Sequence, residues 1–196
     1  MERDAFSAGV EPGGLHSHHE IKILICYMLS GVHEPLPRTA VLDILSGGGM
    51  ANFFDASAAI DDLLQRNNLS ENDEGLLSVT ETGRRAASTL ADMIPYTLRE
   101  RSVDAALRLL ARQRNERDNH VEIVPLGEGG FKVICSVGTA VPLLHFELLV
   151  GDELQAQQVR DRFLNDPLLL YQSLIGVLAG DATLRHMPEQ IVINLP

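Results

Sequence analysis

Apolar residues first fall into a helical rhythm at Ile21, Leu24, Ile25, Met28 and Leu29, so His19 to Gly31 is expected to be a helix, with Gly31 as its stop. Pro35 and Pro37 impose an extended approach to a second helix whose buried side is Val41, Leu42, Ile44 and Leu45, ended by Gly47-Gly48-Gly49. A third helix runs from Asp55, read as its N-cap, to about Asn67. It buries Ile60, Leu63 and Leu64 and turns Ser57, Ala58, Asp61 and Gln65 outward, while Phe53 and Phe54 are expected to anchor the preceding turn in the core. Leu69-Ser70 and Leu76 to Val79 flank the polar turn Glu71 to Gly75 and read as a hairpin. Thr80 then caps a fourth helix through Met93, and Pro95 opens a fifth to about Arg114.

After the polar run Asn115 to Asn119, read as a hinge, the period changes from helical to alternating. Val121 to Pro125, Phe131 to Val137 and Val141 to Val150 are expected to form an antiparallel meander. The turns are Gly127 to Gly130 and Gly138 to Ala140. Asp152 and Asp166-Pro167 start two last helices, with Leu170, Leu174 and Leu178 four apart on the second, and these supply the cover a small sheet needs. The expected fold class is therefore α+β: an N-terminal winged helix-turn-helix domain, a long helix, and a small three-stranded antiparallel sheet covered by two C-terminal helices. The expected boundaries are a flexible arm at 1–18, the winged domain at 19–94, a connecting helix at 95–118, an α+β domain at 119–180 and a tail at 181–196.

The hairpin is followed by Val79-Thr80-Glu81-Thr82-Gly83-Arg84, which looks like the phrase that follows the wing in many winged-helix regulators. Together with Glu20-Ile21-Lys22-Ile23-Leu24-Ile25 and Met50-Ala51-Asn52-Phe53-Phe54, the chain from His19 to Gly180 resembles an uncharacterised family of Firmicute proteins. That family is a domain of unknown function with an N-terminal winged helix and a C-terminal α/β part. The resemblance implies a regulator-like DNA-binding module and brings no established chemistry with it.

Charge complicates that expectation. The formal net charge is -11, the wrong sign for a protein that coats nucleic acid through bulk electrostatics. Between Leu15 and Pro95, five cations, Lys22, Arg38, Arg66, Arg84 and Arg85, stand against eleven carboxylates, and Asp61 and Asp62 on the third helix would oppose a phosphate backbone. The candidate nucleic-acid-binding residues are Arg38, Ser57, Gln65, Arg66, Arg84 and Arg85. Gln65 and Arg66 suit base edges or phosphates, and the arginines near the starts of the second and fourth helices could grip phosphate. Two functions stay open: a winged-helix transcriptional regulator on double-stranded DNA with a C-terminal assembly or effector domain, or a winged-helix protein–protein interaction module that has lost DNA binding.

Other chemistry is thin. His16-Ser17-His18-His19-Glu20 collects metal-binding residue types, but at an end expected to be mobile, so no metal or cofactor is assigned. The glycine runs lack the Lys-Ser/Thr ending of a phosphate loop. His145 and Glu147 share a strand face without a nucleophile, which reads as a solvated face, so no catalytic residue is assigned and the protein is expected not to be an enzyme. Cys26 and Cys135 sit in apolar runs and read as buried reduced thiols. No run approaches the roughly 20 apolar residues of a membrane span, and Met1 to Asp4 lacks a signal-peptide pattern, so a cytoplasmic location without membrane association is expected. A homodimer is expected, with a protein partner or small-molecule effector as further options. The fifth helix offers its stripe either to a twin or to its own C-terminal sheet.

Overall fold

The computed structural model describes residues 10–127 and 129–180. Among them are seven α-helices and two three-stranded antiparallel sheets, a mixed α+β architecture. The chain divides into two compact units between Leu109 and Leu110.

In the first unit, α1 (His18–Val32) is capped by Ser17, whose hydroxyl accepts from the His19 amide at 3.2 Å. It is buried on more than one face, because α3 (Phe53–Gln65) and α4 (Glu81–Leu90) both pack on it. Gly31 does not stop this helix. It lies inside it, where an added Cβ would come within 2.9 Å of the Val103 side chain, and the chain turns instead at His33 with φ 55°. Leu36–Pro37 forms β1, α2 follows at Arg38–Gly47, and β2 (Leu69–Glu71) and β3 (Leu76–Val79) form the hairpin. The sheet order is β1-β3-β2, with Leu36 opposite Leu77 and Leu69 opposite Val79. The strand β1 was not expected: two residues are too few to show a period of two. Asn72 accepts from the Glu74 and Leu76 amides at 3.1 and 2.8 Å and so shapes the hairpin turn.

Several local expectations shift. The N-cap of α3 is Asn52, which accepts from the Phe54 amide at 2.8 Å; Asp55 lies inside the helix and pairs with His18 at 3.0 Å. Phe53 and Phe54 do not enter the core: they are 46% and 76% exposed and stack edge-on to each other at 5.7 Å. Of the expected arm, residues 10–17 lie along the unit, with Leu15 buried and the Glu11 and Leu15 amides donating to the Gly49 and Met50 carbonyls. Residues 1–9 and the expected tail at 181–196 lie outside the described residues.

The long helix α5 (Tyr96–Asp118) contains the boundary between the units and continues through the residues read as a hinge. Of its stripe, Leu98, Ala106 and Leu110 are buried, while Leu107 is 47% exposed. In the second unit, β4 (Asn119–Pro125), β5 (Phe131–Val137) and β6 (Leu144–Val150) form the meander with β5 central, and Cys135 stands between Val121 and Phe146. The last strand begins at Leu144, later than Val141. The helix α6 (Glu153–Asn165), capped by Asp152, seals one face of the sheet with Ala156, Phe163 and Leu164 against Val133, Cys135 and Val137. The helix α7 (Pro167–Ala179) is capped by Asp166 but buries only Pro167. The expected cover of two helices is thus supplied mainly by one.

Candidate nucleic-acid interface

Residues 54, 58, 61 and 65 of α3 fall on one stripe opposite Ala56, Ala59, Ile60 and Leu63, as a 3.6-residue repeat requires. The exposed stripe therefore reads Phe54, Ala58, Asp61, Gln65. Ser57 lies at one margin and Asp62 at the other, both partly buried.

Each margin holds an ion-pair cluster. Arg38, the first residue of α2, donates from Nη1 to Asp61 Oδ1 at 2.6 Å and from Nη2 to the Ser57 hydroxyl at 2.9 Å and the Ser57 carbonyl at 3.2 Å. The hydrogen bond from Arg38 holds the Asp61 carboxyl below its ordinary value, and the same bond raises the Arg38 guanidinium. On the other margin, Asp62 accepts from Arg66 Nε at 2.7 Å and from Lys22 Nζ at 2.6 Å, and these two bonds hold its carboxyl low. Two of the expected site residues, Arg38 and Ser57, are thus brought together, but by a contact that occupies the guanidinium. Hydrogen bonds to charged groups are worth about 1.5–3 kcal/mol, so a phosphate at Arg38 would first have to displace a comparable interaction.

Arg84 and Arg85 do not join this face. They lie near the start of α4 and share Glu81, with Arg85 Nε at 3.0 Å and Arg84 Nε at 3.9 Å. Each of the four arginines has a carboxylate partner: Arg38 has Asp61, Arg66 has Asp62, and Arg84 and Arg85 have Glu81. Around α3, Lys22 and Arg66 meet Asp62, Arg38 meets Asp61 with Glu71 also acting on it, and Asp55 pairs with His18. Gln65 is exposed and has no side-chain hydrogen bond among the described residues.

A family model spans residues 21–178. The chain belongs to the domain-of-unknown-function family DUF4364. Neither a curated protein nor a solved structure matches it. The DUF4364 match takes in most of both compact units, so the helical face and the meander belong to one family unit.

Two residues of this DUF4364 chain were missing from the expected site. Lys22 is not among the expected site residues, although its ammonium completes the Asp62 cluster, and only the fold brings α1 beside α3. Phe54 was legible: it lies seven and eleven residues from Asp61 and Gln65, on the face opposite Ile60 and Leu63.

In the C-terminal unit, His145 Nδ1 meets the Ser136 hydroxyl at 2.8 Å, while Glu147 pairs with Lys132 at 3.1 Å. Ser136 and His145 stand directly opposite each other between β5 and β6, whereas Lys132 and Glu147 form a diagonal pair two residues out of register. Glu147 is turned to Lys132 rather than to the imidazole, so it does not complete a Ser-His-acid relay. Among the described residues, no group of three or more His, Cys, Asp or Glu is placed to hold a metal ion, and no helix is long and apolar enough to cross a membrane.

Proposed function

We propose that the N-terminal unit is a winged helix whose third helix serves as a protein-docking face. What supports the winged-helix reading is the order of helix, short strand, helix, helix, hairpin, helix, with the two-residue strand pairing onto the hairpin. The observation that carries the docking reading is the stripe of α3 itself: Phe54 is 76% exposed at its head, and Asp61 and Asp62 engage the nearest cations. Exposed aromatic residues are enriched among interface anchors, whereas a duplex reader needs surplus positive charge to release counterions. The C-terminal unit serves assembly.

A second reading, a transcriptional regulator on double-stranded DNA, draws on Gln65 and on Arg66, which is 65% exposed at the end of α3. One experiment separates the two: retention of the full chain on pooled random duplex DNA at low and physiological salt, with Arg66→Ala and Arg84→Ala alongside. The docking reading expects no sequence-selective retention in any of them. Selective retention that weakens with salt and with Arg66→Ala overturns it in favour of the regulator.

A further inference from the structure

The helix α7 has an unusual composition for a surface element. It has no Asp, Glu, Lys, Arg or His in 13 residues. Yet Leu168, Leu169, Ile175, Val177 and Leu178 are 50%, 56%, 48%, 57% and 74% exposed. Gln172 and Ser173 are its polar side chains besides Tyr171, and so large an exposed apolar surface marks a contact site. Beside it runs an apolar groove of about 510 Å³, between Phe146 and Leu148 of β6, Phe163 of α6, and Leu170 and Leu174 of α7.

We infer that this face is the contact between two copies of the chain, related by a two-fold axis, with α7 of each copy seated against the groove of the other. Three observations select a second copy. The surface is self-complementary, because it presents an apolar trench and an apolar ridge side by side, as an isologous contact requires. The row of exposed side chains also extends past the groove to Leu168, Leu169, Val177 and Leu178, which a small ligand held in the groove would leave in water. The charge pattern agrees. Two chains of formal charge -11 repel each other, and α7 brings no charge to a groove whose one charged lining residue is the cation Arg162.

The size also fits. At about 60–120 Å² per large apolar side chain, the half-exposed residues of α7 and Leu148 offer on the order of 500 Å² of apolar surface. At the roughly 65% apolar content of homodimer contacts, that corresponds to about 800 Å² per partner, the size of a standard stable interface. The inference deepens the assembly role proposed for the C-terminal unit and is independent of what α3 binds, so the two can fail separately.

The test is sedimentation of the full chain across a concentration series, with far-UV circular dichroism as the folding control. Wild type is expected at twice 21.5 kDa, and Leu174→Glu and Leu178→Arg are expected to raise the dimer Kd by at least about tenfold with helix content unchanged. Leu178 is 74% exposed, so its variant remains informative should Leu174→Glu fail to fold. A wild type that stays monomeric, or a dimer indifferent to Leu178→Arg and to folded Leu174→Glu, overturns the inference. A monomer that takes up an apolar dye in a Leu174-dependent way reassigns the groove to a small ligand. Dye uptake that requires removal of residues 181–196 reassigns it to that segment.

Discussion

Lys22 Nζ donates to Asp62 Oδ2 at 2.6 Å, tying the first helix to the third from a position only 22% exposed. The same carboxylate accepts from Arg66, so one acid answers two cations. Asp62→Asn removes the charge that both of them face. The expected loss is about 1 kcal/mol, at the upper end for accessible ion pairs, read as a lower urea midpoint with an unchanged slope.

The pH dependence of that loss has a definite sign. The bonds from Arg66 and Lys22 hold the Asp62 carboxyl below the ordinary 3.8, so the folded chain takes up this proton less readily than the unfolded one. Its stabilisation is complete above that ordinary value and disappears as pH falls through the lowered folded-state value. The gap between wild type and Asp62→Asn is therefore expected to be constant from neutral pH to about pH 5 and to close in stronger acid. Urea titrations of both proteins across that range would check it, and a gap that widens in acid would contradict the assignment.

Gly83, in the first turn of α4, fits where no larger residue can. A Cβ there would lie 2.2 Å from the Asn68 carbonyl oxygen and 2.9 Å from Val79 Cγ2, and one of those neighbours is backbone. Thr80 anchors the same junction by donating to the Asn67 and Asn68 carbonyls and accepting from the Gly83 amide. Gly83→Ala is expected to cost about 1–3 kcal/mol despite alanine's better helix propensity. A thermal melt would read it.

The two thiols should be inert in the native chain. Burial pushes Cys26 up to about 12 and Cys135 up to about 11, so almost no thiolate exists at neutral or mildly alkaline pH. Expected, then, is negligible labelling by a thiol-disulfide reagent at about pH 8 and two equivalents after denaturation. Rapid native labelling of either would mean local opening of the strand or helix that holds it.

Phe163 is the largest side chain that α6 puts into the second core, 3% exposed and edge-on to Phe146 at 5.9 Å. Phe163→Ala should cost about 3–5 kcal/mol. Because that core has only a handful of fully buried residues, loss of near-ultraviolet signal is the expected readout, whereas a mild shift below about 1 kcal/mol would show the sheet to be held by something other than α6.

Periodicity located the buried sides of α1, α2 and α3 because Ile21, Leu24, Val41, Leu45, Ile60 and Leu63 recur at turns of the helix. The caps Thr80, Asp152 and Asp166 were legible for the same local reason, since each accepts from an amide three residues on. Where other packing decided, the pattern misled. Asn115 to Asp118 look like a hinge, yet they continue α5, with Asn115 donating to the Leu164 and Asn165 carbonyls. Hydrophobicity alone places Phe53 and Phe54 in the core, although Phe54 falls on the outward stripe. Of the candidate site, the individual arginines could be named, but their pairing with Asp61, Asp62 and Glu81 depends on how helices meet and on rotamers.

The strand β1 carries a consequence of its own. Of Pro35, Leu36 and Pro37, only Leu36 has an N–H to offer, and this run forms one edge of the small sheet. The opposite edge, β2, is three residues long and ends in exposed Ser70 and Glu71. A sheet closed off in this way is a poor template for a passing strand, so the N-terminal unit is guarded against growth into cross-strand aggregates at its own boundaries.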